Sequence, residues 1–508
     1  MKRLPIGIQS FEKLIGGDYK YVDKTAVIHK LVVQGSYHFL SRPRRFGKSL
    51  LISTLKELFL ANRSLFDGLW IADHWNWNRK HPIIHISFSS IGYKTLGLEV
   101  AINTELERIA TDHDIVLESM VYDQKFRELI RKLSETEKVV VLIDEYDKPI
   151  IDYLDNLEQA KQHQNILKNF YSIIKDSDPH LRFLLITGVS KFSKVSIFSE
   201  LNNLNDISID ANYATLTGYT QAELEHYFEE YIQKYTTPTD RVAFLDKVRT
   251  WYNGYSWDGK TFVYNPFSIL NFFQKNQFQN FWFATGTPTF LIKLMKERNL
   301  VEIENVEIDQ SGFESHDLAY VESIPLLFQT GYLTIKEAKD YGIYLLDYPN
   351  KEVKDSLLRY LIGAFRYDPA FKSTPIVVKL MEAFVDGNVE RIMEIINALF
   401  KSIPSHIFIK EKEAYYHSLV YLIFQYLGQF IEAEVHTSDG RIDAVVQTDE
   451  RIYLLEFKLD QSAEAAMAQI KAKKYEEKYQ LASKKTIALG INFSSATKSV
   501  EGWLLEEV

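Results

Sequence analysis

The chain has no cysteine among its 508 residues, which removes disulfides and thiolate metal sites and leaves carboxylates, hydroxyls and 13 histidines as metal donors. The scattered histidines suggest no zinc site, so a metal here is expected to be a hard cation, Mg²⁺ or Mn²⁺. No run approaches the ~20 apolar residues of a membrane helix. The opening "MKRLPIGIQSFEKL" has charge but no apolar core, so no signal peptide is expected and the expected location is the cytoplasm. A net charge of −9 leaves no general excess of basic surface, and any nucleic-acid contact has to be local. There is also no fixed-period repeat and no low-complexity tract.

What is present is ordinary for a soluble globular chain: 46% apolar and 25% charged residues. The length suggests about two to four domains. From 1 to 212, "YHFLSR", "PIIHISFSS", "KVVVLIDEY", "LRFLLITGV" and "DISID" read as strands separated by helical patterns. The middle three are nearly continuous apolar runs, as in a parallel sheet covered on both faces, so this region is expected to be a doubly wound α/β domain. Residues 213–372 read as short helices and aromatic turns with a small winged element, a helical lid in which Thr220 and Glu223 form a capping-box start. Residues 373–508 read as a second α/β unit: helices, the hairpin "FIEAEVHTSDGRIDAVVQ" turning at Asp-Gly, the strand "RIYLLEFKL" and the helix "AEAAMAQIKAKKYEEKY".

The stretch "SRPRRFGKSLLISTL" ends like a phosphate-binding loop, G-x-x-x-x-G-K-S/T, and begins differently. Gly47, Lys48 and Ser49 fit; Arg42 stands in the place of the first glycine, with Arg44 and Arg45 inside. The stretch follows a strand and opens a helix whose Leu51, Leu55 and Leu58 recur at helical spacing, which is the context such a loop requires. There the helix N-terminus meets phosphates, Lys48 reaches the β and γ oxygens, and the Ser49 hydroxyl ligates Mg²⁺. "VVVLIDEYD" supplies an apolar strand ending in acid: Asp144 for the Mg²⁺ shell and Glu145 to polarise water, with Asp147 as the alternative base. In "ITGVSK", Thr187 or Ser190 stands where the γ-phosphate would be sensed. The plainer alternative is that Asp144 and Glu145 cap a strand in solvent and that Glu145 is a structural acid.

"LPIGIQSFEKLI", "YKYVDKTAVIHKLV", "SRPRRFGKSLL", "VLIDEYDKPI", "TGVSKFSK", "YNPFSIL" and "FATGTPTFL" together resemble the AAA-ATPase-like proteins of bacteria whose phosphate loop reads R-P-R-R-F-G-K-S/T. The resemblance implies a P-loop NTPase domain of ASCE/AAA-like type that binds ATP with Mg²⁺. It places the nucleotide along Arg42, Pro43, Arg44, Arg45, Phe46, Gly47, Lys48, Ser49 and Leu50, and makes Arg42 the family's own variant. Pro43 can stiffen the turn that a glycine would have made. Arg44 or Arg45 can add bidentate phosphate contacts, or be solvated loop charges.

"GRIDAVV", then thirteen positions from Asp443 to Glu456, then "EFK" resembles the PD-(D/E)XK nucleases, a restriction-endonuclease-like α/β fold. That chemistry needs carboxylates to hold Mg²⁺ (or Mn²⁺) and a lysine to act on the attacking water. Glu456 and Lys458, two apart on a strand, project from one face, and Asp443 on the neighbouring strand can converge with them. Glu413, in the preceding helix, takes the place of a further acid. Gln469 and the run Lys471, Lys473 and Lys474 suit a strand of phosphates. The first motif is Ile442-Asp443, without the proline. The "WYNGYSW" and "FWF" aromatics read as lid core before base-stacking platforms.

The expected protein is an ATP-binding, ATP-hydrolysing switch joined through its lid to a metal-dependent nuclease acting on DNA or RNA. Two alternatives stand beside it: a nucleotide-gated binding or scaffold protein with an inactive nuclease fold, and an ATP-driven remodeller with no nucleic-acid partner. Oligomeric state is open at this point.

Overall fold

The computed structural model describes residues 1–191, 197–198, 201, 203–283, 289–313, 322–401, 412–435, 443–479 and 484–508. Contacts divide the chain into two compact units, the first 1–286 with 303–352, the second 287–302 with 353–508.

The first unit is built on a five-stranded, all-parallel sheet of β1 (Tyr37–Ser41), β2 (Ile83–Ser87), β3 (Val139–Asp144), β4 (Leu181–Gly188) and β5 (Asn205–Asp206), in the order β2-β3-β4-β1-β5. Every residue of β1 and β3 is buried, because helices cover both faces and period-two alternation has no solvent face to mark. β4 lies between the strand that feeds the phosphate loop and the strand that ends in acid. The fifth strand is shorter than "DISID" suggests. The Asp206 side chain accepts the Ser208 amide at 2.9 Å, a local turn that ends extended pairing after two residues.

Within the stretch read as a lid, residues 221–275 form helices Gln221–Tyr227, Glu229–Tyr235, Arg241–Tyr252 and Pro266–Lys275. Thr220 and Glu223 make the capping box: the Glu223 amide donates to the Thr220 hydroxyl at 3.2 Å, and the Thr220 amide donates to the Glu223 carboxylate at 2.8 Å. The lid aromatics form a core, with Phe228 and Phe273 stacked at 5.1 Å and Tyr252 against Phe272 at 5.5 Å. The winged element has three antiparallel strands, β6 (Val306–Asp309), β7 (Thr334–Ala338) and β8 (Ile343–Asp347), in the order β6-β8-β7. β6 goes unread in the sequence: its Val-Glu-Ile-Asp alternates apolar and acidic residues, but over only four positions, the shortest run in which that pattern marks a strand.

The second unit carries β9 (Glu432–Val435), β10 (Ala444–Gln447), β11 (Arg451–Leu459), β12 (Lys485–Ser494) and β13 (Ser499–Glu507), in the order β13-β12-β11-β10-β9. Only β11 and β12 run parallel, and the helix Ala463–Lys473 makes their crossover. That helix lies close on the sheet at Gly490, where a Cβ would stand 2.6 Å from the Ala463 carbonyl oxygen. β9 and β10 pair antiparallel, as expected of the hairpin. Its Asp-Gly turn, and Gly440 to Ile442 of "GRIDAVV", lie outside the described residues.

Candidate functional site

In the first unit the phosphate loop leads from β1 into α1 (Lys48–Phe59). Gly47 caps that helix at φ 87, a left-handed backbone that favours glycine. Having no side chain, the cap leaves the first helical amides, at the positive end of the helix dipole, available to a phosphate. Lys48 is buried and donates to the carbonyls of Arg42 at 2.9 Å and Pro43 at 3.0 Å. Burial lowers its pKa, while the charges of Asp144, Glu145 and Asp147 pull it back up. The ammonium is therefore parked on its own loop, facing three acids.

The acids are held differently from one another. Asp144, buried at the end of β3, accepts the Thr187 hydroxyl from β4 at 2.6 Å. Asp147 takes three donors on one oxygen: the Val189 amide at 3.0 Å, the Ser190 amide at 2.6 Å and the Ser190 hydroxyl at 2.7 Å. Glu145 lies between them with φ 54, a conformation that costs a non-glycine residue about 1 kcal/mol. Burial and, after it, the Asp144 charge push its pKa up, and Lys48 opposes them. Glu145, Lys48, Ser49, Arg44, Arg45 and Leu50 share the wall of a cleft of about 430 Å³. Asp147 reaches that wall too, held there by its three donors on one oxygen. Thr187 and Ser190 are fully buried and spend their hydroxyls on acids, so they position carboxylates.

Arg42 is not in the cleft. Its guanidinium is fully buried, donates to the carbonyls of Ser41 at 2.9 Å and Ser208 at 2.6 Å, and lies 3.9 Å from the ring centre of Trp257. Burial takes its pKa down to about 9. Phe46 is buried as well, edge-on to Tyr255 at 4.7 Å and Trp257 at 5.3 Å. Pro43 is buried, packed so near Gly331 that a Cβ there would stand 2.8 Å from its ring. Sequence reasoning missed Gln9, Lys148, Tyr219, Pro266 and Phe267 on the cleft wall; the motifs "LPIGIQSFEKLI" and "YNPFSIL" were the signal. An apolar pocket shares Pro5, Gly47, Leu50, Tyr219 and Pro266 with the cleft. On its wall the Thr217 hydroxyl is buried with no hydrogen-bond partner.

In the second unit, Asp443 precedes β10 and accepts the Phe457 amide of β11 at 2.7 Å. The Lys458 ammonium donates to Glu456 at 3.2 Å and to the Gln469 side-chain oxygen at 2.6 Å. Glu456 is buried, and its second oxygen, Oε2, has no hydrogen-bond partner. Burial first, then the Asp443 charge, push its pKa up to about 7 against the pull of Lys458; burial also raises Asp443. An orphaned carboxylate oxygen beside a second carboxylate suits a hard cation.

Gln469 belongs to this centre, as the group that fixes Lys458. The side chain of Glu413 lies outside the described residues, although its backbone is in the helix Lys412–Leu427. From the same helix His417 bears on Asp443, drawing its pKa down, a neighbour that sequence reading overlooked. Lys471, Lys473 and Lys474 are exposed, but Lys471 pairs with Glu506 at 2.6 Å and Lys474 with Glu477 at 2.8 Å. Among the described residues no group of three or more His, Asp or Glu side chains is gathered for a metal. His81 and His85 do have H-x-x-x-H spacing, which was also overlooked. His85 lies on strand β2, where four residues span about 13 Å, and His81, just before it, is engaged with the Lys138 carbonyl at 2.8 Å. No helix among the described residues is long and apolar enough to cross a membrane.

Residues 5–198 match the family model "Predicted AAA-ATPase", and residues 411–503 match that of the PD-(D/E)XK nuclease superfamily. The "Uncharacterized protein in vnfD 5'region" of Azotobacter chroococcum mcd 1 is 41% identical over 524 residues, covering 100% of this chain and 99% of its own. With family models matched at both ends and a relative aligned over the whole chain, the chain belongs to the predicted AAA-ATPase family with a PD-(D/E)XK nuclease superfamily domain at its C-terminus.

Proposed function

We propose that this protein is an ATP-binding and ATP-hydrolysing switch in the cytoplasm, coupled to metal-dependent cleavage of a nucleic-acid phosphodiester. One pattern, present in both units, carries the reading: a lysine stands beside acids carried on or just after a buried strand, Lys48 facing Asp144, Glu145 and Asp147, and Lys458 bonded to Glu456 beside Asp443. In the first unit, phosphate oxygens would draw the Lys48 ammonium off the Arg42 and Pro43 carbonyls. Arg44 and Arg45 at the cleft mouth would add charge-assisted contacts. Glu145 would orient and deprotonate water, and the apolar pocket beside the cleft has the chemistry for a base. Ser49 and Asp144 would hold Mg²⁺, which when bound neutralises charge on the β and γ phosphates.

In the second unit Asp443 and the free Oε2 of Glu456 would hold Mg²⁺ or Mn²⁺. Lys458, fixed by Gln469, would keep its ammonium on the attacking water and the developing charge. A binding module with an inactive nuclease fold is the second reading, favoured by the acids that face Lys471 and Lys474. The decisive experiment incubates single- and double-stranded DNA and RNA with the full chain and Mg²⁺ or Mn²⁺, with and without ATP. Cleavage of one substrate that changes with ATP is expected. Binding without cleavage under every condition would favour the inactive fold, and neither binding nor cleavage would leave only the ATPase.

A further inference from the structure

The place of the first glycine is taken by an arginine that faces away from the cleft, so something other than glycine's freedom must shape this loop. Its two ends are fixed from behind by one ring. The Arg42 guanidinium stacks 3.9 Å from the centre of Trp257, and Phe46, four residues on, presents itself edge-on to the same indole at 5.3 Å. Trp257 is 4% exposed. Between these two pegs, the Trp282 indole nitrogen donates to the Arg44 carbonyl at 3.1 Å. The carbonyls of Arg42 and Pro43, which hold the Lys48 ammonium, thus lie on a stretch of backbone that Trp257 and Trp282 contact.

We propose that Trp257 is the positioning residue of the nucleotide site, gripping Arg42 and Phe46 so that the loop keeps its phosphate-binding shape without a leading glycine. The inference rests on the nucleotide reading above. It assigns Arg42 a role in affinity without phosphate contact and ties the loop's geometry to packing of the lid. A cation over an indole face and an edge-on aromatic pair are both directional, so an aliphatic side chain of similar bulk cannot replace them.

The test measures MgATPγS affinity by calorimetry, and melting without nucleotide, for the full chain and three variants. Trp257→Leu keeps an apolar side chain, though a smaller one, and removes the ring; its Kd is expected to rise about tenfold or more. Trp257→Phe restores a smaller π face and should recover most of that loss. Trp251→Ala removes another lid aromatic, which packs on Tyr252 and Phe278 away from the loop; it should lower the melting temperature and leave Kd unchanged. Equal affinity in wild type and Trp257→Leu would overturn the proposal, as would an equal loss in Trp251→Ala, which would mark a general effect of loosening the lid. A wild-type protein that does not bind MgATPγS would remove the nucleotide reading itself, and this inference with it.

Discussion

The two candidate centres use the same materials and differ in what is left unsatisfied. Around the phosphate loop the lysine and acids have internal partners, Lys48 on two carbonyls, Asp144 on Thr187, Asp147 on Ser190 and Val189, and what goes unpartnered is a donor outside the cleft, the buried Nε of Arg42. In the C-terminal centre Lys458 leans on its own acid, while Glu456 keeps a buried oxygen with no donor and a pKa near 7. A centre with its own partners is stable empty and releases its lysine when a better acceptor arrives. A centre with an orphaned acid gains most from a cation.

The sharpest break in that comparison is expected from the C-terminal acids. Asp443→Ala or Glu456→Ala removes one of few protein oxygens available to a hard cation, so cleavage in Mg²⁺ should fall by orders of magnitude, as it should for wild type in EDTA. Lys458→Ala should stop cleavage too yet still bind Mn²⁺ in calorimetry; loss of Mn²⁺ binding there would make Lys458 structural. At the other centre, Lys48→Ala should abolish the thermal stabilisation that MgATP confers on wild type. If stabilisation persists, the phosphates lie elsewhere.

A finer contrast comes from Glu145→Gln, which keeps size and removes the base. ATP should stay bound and uncleaved, and unchanged phosphate release would exclude Glu145. The smallest effect concerns Glu352, buried behind the loop, which accepts the Trp282 amide and the Ser268 hydroxyl, each at 2.7 Å. Burial raises its pKa from 4.5 to about 7. The folded protein thus holds this proton at a pH where the unfolded chain has lost it. The stability contributed is whole below pH 4.5 and disappears as pH rises through about 7. Glu352→Gln should flatten that stretch of the nucleotide-free melting curve against pH and leave other pH dependence in place.

Much of this was legible in the sequence where period and motif coincide: the buried strands of the parallel sheet, the capping box at Thr220, the strand pair bringing Asp443 beside Glu456. What escaped depends on distances along the chain that no local pattern encodes. Arg42 reads as a phosphate ligand because it sits in the loop; its partners Ser208 and Trp257 lie more than 160 residues away. Gln469 reads as a groove residue because lysines follow it, while a helix crossover turns it onto Lys458. Strand β6 is only four residues long, and the Thr187 and Ser190 hydroxyls look free until the fold brings acids within reach.

Residues 287–302 pack with the second unit although the first unit continues after them to 352. Lys296 donates to the Ala364 carbonyl at 2.6 Å, and the Ser418 hydroxyl donates to Asn299 at 2.8 Å. No single cut therefore separates the units cleanly. A fragment ending at 352 keeps Leu291 and Met295, buried in the whole protein, without the residues that cover them, and a fragment starting at 353 lacks them. Dissection of this protein calls for removing 287–302 from the first piece and splicing it onto the second, and simple truncations at 352 should yield aggregating halves.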